Sequence, residues 1–229
     1  MIPPFLRRMA LIAGEDGVAA FARSRVLVFG LGGVGGWCAE ALARSGIGSL
    51  TLVDSDRICV TNINRQVQAT AANVGEDKAG ALRSRILSIN PAAQVDAVCR
   101  VFSKETAASF PFVECDYVVD AIDSVSCKLD LIEKCAEAGV PVFSSMGMAQ
   151  KFDPARIKIA SIWDTEGCPL ARLVRQGLRK RGFCGDFTAV YSAERQIRRV
   201  CTAAECTAAN CLCPKPAAGG PDWCSTKKV

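Results

Sequence analysis

Arg25-Val-Leu-Val-Phe-Gly30-Leu-Gly32-Gly33-Val-Gly35-Gly36 is the stretch on which the fold turns. Its first half is a short apolar, β-branched run ending in glycine, which reads as a buried strand, and the sequence through about Arg44 reads as a helix. Strand, glycine-rich turn and helix, in that order, are the setting in which G-x-G-x-x-G binds a nucleotide. Glycine lets the backbone approach a phosphate, and the N–H groups and dipole of the following helix favour negative charge there. Gly30, Gly32, Gly33 and Gly35 are therefore candidate phosphate-binding positions. The loop alone does not separate NAD from ATP.

Working outward, Ser49-Leu-Thr-Leu-Val-Asp54 completes a βαβ unit. Helices are expected over Lys78 to Ile89 and Leu129 to Ala138, and strands over Val95 to Val101, Asp116 to Asp120 and Val140 to Phe143. This alternation predicts an α/β, Rossmann-like, doubly wound and mostly parallel sheet. After Gly147 the rhythm changes. Arg156 to Ile162 alternates as a strand with one wet face would, and Pro169 to Arg181 reads as a basic helix, together a smaller C-terminal extension. The expected organisation is one nucleotide-binding α/β domain over residues 1–200, with an N-terminal arm over 1–24, and a Cys/Pro/Gly-rich tail over 201–229.

Composition narrows the chemistry. Half of the 229 residues are hydrophobic and 22% are charged, enough apolar material for one sizeable core. No apolar run reaches the roughly 20 residues of a membrane span, and the N-terminus lacks a secretory signal, so the expectation is a cytoplasmic protein away from membranes. There is no histidine, which leaves carboxylates, Lys, Arg, Cys and backbone to do any chemistry. Of 13 cysteines, Cys38, Cys59, Cys99, Cys115, Cys127, Cys135, Cys168 and Cys184 are scattered through regular sequence and are expected to be reduced, mostly buried thiols.

Asp54 ends the second strand, where an acidic side chain accepts hydrogen bonds from ribose hydroxyls. Next come Asp56, Thr61-Asn62-Ile-Asn-Arg65-Gln66 and Lys78. A nicotinamide has no need of such a cluster, whereas a triphosphate profits from Arg, Lys and amide donors. Arg65 and Lys78 are placed to stabilise charge at an attacked α-phosphate, and Asp123, just past a strand end, to hold Mg²⁺.

These motifs, with Asp120-Ala-Ile-Asp123, resemble the ubiquitin-activating-enzyme-like adenylyltransferases of thiamine and molybdopterin biosynthesis. More narrowly, Ala41 to Gly46, Val60 to Gln66, Val118 to Ser124, Ser144 to Gly147, Gly167 to Arg172 and Leu178 to Gly182 resemble the tRNA threonylcarbamoyladenosine dehydratase branch. The resemblance implies that Asp54 binds ribose, that Asn62, Arg65 and Lys78 contact the phosphates, and that Asp123 lies at the metal. It also implies a homodimer in which Arg8 reaches the triphosphate of the other subunit. The implied reaction is ATP-driven cyclising dehydration of threonylcarbamoyladenosine in tRNA through an acyl-adenylate. A tRNA partner calls for a basic face, for which Arg172, Arg175 and Arg179 at helical spacing, with Lys180 and Arg181 beside them, are the candidates. Arg195, Arg198 and Arg199 extend it.

Two other readings stay open: adenylation of a sulfur-carrier C-terminus, and a scaffold for a sulfur-relay partner such as a cysteine desulfurase. No Cys-x-x-Cys pair occurs; a zinc site would draw on Cys201, Cys206, Cys211, Cys213 and Cys224. Cys168, at a helix start, is the candidate reactive cysteine. Phe5 stands where relatives commonly carry an arginine, and the family's C-terminal strand and apolar helix are not found among residues 201–229.

Overall fold

The computed structural model describes residues 2–197 and Cys213. In chain order the elements are α1 (Arg7–Arg23), β1 (Arg25–Phe29), α2 (Gly35–Arg44), β2 (Ser49–Val53), α3 (Lys78–Ile89), β3 (Gln94–Val98) and β4 (Tyr117–Asp120). There follow α4 (Val125–Ala138), β5 (Val142–Ser145), β6 (Ile157–Ser161), α5 (Pro169–Lys180) and β7 (Thr188–Ser192). One sheet of seven strands runs β3-β2-β1-β4-β5-β7-β6. Every neighbouring pair is parallel except β6 and β7. This is the doubly wound α/β architecture expected from the alternating pattern.

Period-two geometry explains the two cores. Leu27 and Phe29 of β1 point to one face, Val26 and Val28 to the other, and all four are buried. On the first face Phe29 packs against Phe102, Phe110 and Phe112, with ring centroids 5.0, 5.2 and 5.8 Å away, and α4 and α5 add Leu131, Ile132 and Leu178. On the second face α2 and α3 contribute Ala39, Ala43, Leu82 and Ile86. The strand order reverses at β1, between its neighbours β2 and β4, which opens a crevice at the carboxyl strand ends, where ligands bind in such sheets.

Several boundaries move. β3 stops at Val98, where Arg100 N–H turns back onto the Val98 carbonyl. α4 begins at Val125, a full turn before Leu129, and closes through left-handed Gly139 at φ +68°, so β5 starts only at Val142. The expected N-terminal arm is largely α1, interrupted at Gly14, where φ is +73°. β7, which sequence reading passed over, enters the sheet between β5 and β6. β6 is a strand as expected, but it is the sheet edge and its alternating isoleucines do not mark a buried face, since Ile159 is 73% exposed.

The cysteine expectation is also corrected. Cys127, Cys135 and Cys168 are buried, Cys38, Cys59 and Cys115 half-buried, and Cys99 and Cys184 exposed. Burial holds the Cys135 thiol well above the ordinary range, with Asp120 adding to the effect. No helix among the described residues is long and apolar enough to cross a membrane.

Candidate nucleotide site

A cavity of about 450 Å³ opens at the carboxyl ends of β1, β2 and β4. One wall is the glycine loop. Gly30 has φ +83°, and a Cβ there would stand 2.6 Å from the Ala121 carbonyl oxygen; at Gly35 it would stand 1.9 Å from the oxygen of Gly30. These two positions must be glycine for the loop to fold back tightly and start α2 beside the cavity. Gly32 and Gly33 line the space directly.

Asp54, at the end of β2, is positioned by backbone donors. Its Oδ2 accepts Leu31 N–H at 2.7 Å and its Oδ1 accepts Asp56 N–H at 2.8 Å. Burial pushes its carboxyl above the ordinary range, while the Lys78 ammonium and the two N–H groups pull the other way.

Lys78 is the first residue of α3, and its N–H bonds the Asp56 carbonyl at 3.1 Å. Its Nζ donates to Asp56 Oδ2 at 2.7 Å and lies 3.9 Å from Asp54 Oδ1. The lysine side chain is 8% exposed, whereas that of Asp56 is 65% exposed. Asp56 thus seats the lysine from the solvent side.

Asn62 and Arg65 come from a turn after β2. Asn62 is buried and its Oδ1 accepts Cys59 N–H at 3.0 Å, which fixes the amide. Arg65 lies across the glycine loop, because a Cβ on Gly33 would meet its Cγ at 3.2 Å. Its Nη1 donates to the Thr61 carbonyl and to Asn64 Oδ1, both at 3.0 Å, while Trp37 Nε1 donates to its carbonyl at 3.0 Å. Asp123 stands on the opposite wall after β4, exposed, its carboxylate without a hydrogen bond or ion pair among the described residues.

The fold therefore brings Gly30, Gly32, Gly33, Asp54, Asp56, Asn62, Arg65, Lys78 and Asp123 to one cavity. Sequence reasoning assigned no role to Gln66, Arg100 or Cys127, which line it too. Gln66 is buried and its Oε1 has no hydrogen-bond partner among the described residues. Its place in the Asn-Arg-Gln string was the available signal; Arg100 and Cys127 offered none.

A family pattern, ThiF, matches residues 5–168. The chain belongs to the ThiF family. A relative from Bacillus subtilis, named tRNA threonylcarbamoyladenosine dehydratase, is 41% identical over 190 residues, 83% of this chain and 75% of that protein. The Escherichia coli protein of the same name is 41% identical over 170 residues, 74% of this chain but 63% of its own length. The solved structure of E. coli tRNA N6-threonylcarbamoyladenosine dehydratase in complex with ATP superposes with a TM-score of 0.80 at 37% identity, covering 86% of each chain.

Elsewhere in this ThiF-family chain the expected basic face divides. Arg175 Nη1 donates to the carbonyl and hydroxyl of Thr165, and Arg181 pairs with Asp130 at 2.6 Å and Glu133 at 2.7 Å. Arg179 lies 5.3 Å over the Trp163 ring. Arg172 and Lys180 are exposed, and neither side chain has a hydrogen bond or ion pair among the described residues. Arg195 is described and exposed, while Arg198 and Arg199 lie outside the described residues.

Arg8 is exposed on α1 and is not part of the cavity wall of its own chain. Cys168 is 4% exposed, with its thiol 3.9 Å from the Gly147 carbonyl, the setting of a structural cysteine rather than of an accessible nucleophile. Of the expected zinc ligands only Cys213 is described; its Sγ lies 3.4 Å from that of Cys59. No group of three metal-ligating side chains gathers among the described residues.

Proposed function

We propose that the chain catalyses ATP-driven cyclising dehydration of threonylcarbamoyladenosine in tRNA. The observation that carries this reading is the convergence of Asp54, Asn62, Arg65, Lys78 and Asp123 on one cavity beside the glycine loop. Asp54 accepts the ribose hydroxyls. Asn62, Arg65 and Lys78 meet the phosphates, and Asp56 contributes by seating Lys78. Asp123 offers a hard, unpaired carboxylate oxygen, a donor that fits Mg²⁺, whose charge would offset that of the triphosphate when bound.

The chemistry suits a site without histidine. A substrate carboxylate oxygen attacks the α-phosphorus, pyrophosphate leaves, and the acyl-adenylate so formed carries AMP as a good leaving group. The neighbouring carbamoyl group then closes the ring as AMP departs, helped by proximity within one nucleoside. The protein supplies position and charge stabilisation, which Arg, Lys and backbone N–H groups provide. In this reading the active form is a homodimer, with Arg8 of each subunit turned toward the other's triphosphate. The tRNA backbone lies along α5 on Arg172, Arg179 and Lys180, while Arg175 and Arg181 hold that helix in place. The protein works in the cytoplasm.

Incubation with ATP, Mg²⁺ and threonylcarbamoylated tRNA, followed by mass analysis of the nucleoside, tests the proposal. Loss of one water from the nucleoside is expected. An unchanged nucleoside, with adenylate formed instead on a sulfur-carrier protein, overturns it in favour of carrier activation.

A further inference from the structure

Directly behind the cavity lies a charged cluster for which the reaction just described has no use. Lys128 on α4, Asp120 at the end of β4 and Ser144 of β5 are each 0% exposed. Lys128 Nζ donates to Asp120 Oδ2 at 2.7 Å, to Ser144 Oγ at 3.3 Å and to the Ser145 carbonyl at 3.1 Å, so all three protons of the ammonium are placed. The Ser144 hydroxyl donates to Asp120 Oδ2 at 2.6 Å. Cys127, Leu129, Leu131 and Ile132, the residues around Lys128 on α4, are buried as well.

Sealing an ion pair in such a place is not a route to stability. Desolvation offsets most of the attraction, and apolar residues of similar volume often do as well. What the cluster does have is a connection to the site. Asp120 Oδ1 accepts the N–H of Ile122 at 3.1 Å, and Ala121 N–H bonds the Phe29 carbonyl at 2.8 Å. The turn from Ala121 to Asp123 is thereby gripped from below, and its backbone is pressed so close to Gly30 that a Cβ there would stand 2.6 Å from the Ala121 oxygen. The last residue held in this way is Ile122, and Asp123 follows it directly in the chain.

We infer that Lys128, Asp120 and Ser144 form a positioning cluster that fixes the Ala121–Asp123 turn and so sets where Asp123 presents its carboxylate to a divalent cation. None of the three touches substrate. Lys128 acts through Asp120, and Asp120 through the Ile122 N–H. By tying the exits of β4 and β5 together, the cluster makes the metal-facing wall rigid before any ligand arrives. The inference rests on the reading of Asp123 as the metal-facing carboxylate.

Three variants and one measurement on the unaltered protein test it. In the unaltered protein without nucleotide, hydrogen exchange at the Ile122 amide is expected to be as slow as in the core of β4; rapid exchange overturns the inference. Lys128→Met leaves Asp120 buried without its partner and is expected to fold poorly. Asp120→Leu/Lys128→Met removes both charges and should restore the melting temperature. In that double variant the Mg²⁺ concentration for half-maximal ATP binding should nonetheless rise by about 10- to 100-fold, with Ile122 exchange accelerated and AMP binding without metal nearly unchanged. A double variant with the original Mg²⁺ requirement, measured beside an Asp123→Ala control whose requirement has risen, refutes the positioning role. If Asp123→Ala itself leaves the requirement unchanged, the metal reading of Asp123 fails, and the metal half of the inference fails with it.

Discussion

The chain holds two lysines near the start of a helix, each bound to a carboxylate beyond or at the end of a neighbouring strand, and they are built for opposite purposes. Lys78 opens α3 and reaches Asp56 at 2.7 Å, a partner 65% exposed, which in the proposed reading yields when a phosphate arrives. Lys128 sits one turn into α4 and reaches Asp120 at the same 2.7 Å, but both side chains are 0% exposed and neither is able to leave. Distance does not distinguish the pairs; exposure of the acid does. A ligand-binding cation needs a partner that water replaces cheaply, and a positioning cation needs one that nothing replaces.

The largest effect expected from this contrast comes from removing each ammonium in turn. Lys78→Met should lower turnover by roughly 10²- to 10³-fold, with a smaller stability loss in urea unfolding than at Lys128, because its 2.7 Å partner Asp56 stays in water. Lys128→Met should instead lose about 3–5 kcal/mol of stability. Equal stability losses in the two variants would erase the distinction.

The second expected effect is on pH dependence at Asp54, the other carboxylate near Lys78. Burial raises its carboxyl above an ordinary aspartate's 3.8. A raised acid is protonated first as the pH falls, and the protonated form accepts ribose hydroxyls poorly. Nucleotide affinity should therefore weaken as pH drops through a value above 3.8, and Asp54→Asn should flatten that dependence in a binding titration. The stability contribution has the opposite sense: the folded chain keeps a proton that the unfolded chain has released, so this residue favours folding less as pH rises across the same window.

The smallest expected effect carries the contrast to the arginines of α5. Arg172→Glu/Lys180→Glu should weaken tRNA binding and lessen its salt dependence by about one unit of slope per lost phosphate contact, with unfolding little changed. Arg175→Met, which strips a partner from Thr165, should do the reverse and register in stability alone.

How much of this was legible in the sequence follows from which signals are local. α3 was read to the residue, Lys78 to Ile89, because its start and the Asn90-Pro91 stop are written in adjacent residues. The glycine loop and the Asn62, Arg65 and Lys78 set were legible for the same reason. α1 was not, since within it only Val18 is buried and Gly14 interrupts it. β7 is a strand because β5 and β6 flank it, a fact of pairing that Thr188 to Ser192 do not carry alone. The division of the α5 cations depended on Asp130 and Glu133, some 50 residues away on α4. Lys128 and Asp120 were invisible as a pair: Asp120 read as a strand end within the Asp120-Ala-Ile-Asp123 motif, Lys128 drew no reading, and nothing local joins the two across eight residues and a turn.

The edge strand β6 has a practical consequence for anyone handling this protein. Ile157 and Ile159 stand 49% and 73% exposed along an outer strand, and among the described residues no further strand pairs with it. Such an edge is a template for intermolecular pairing, and a lysine upon it is the usual deterrent. Lys158 fills that place, but its ammonium is already drawn to Glu166 at 2.8 Å. Among the described residues of β6, Lys158 is the one charge set against such pairing. A charge added beside it, as in Ile159→Lys, is the first change to make when the protein precipitates.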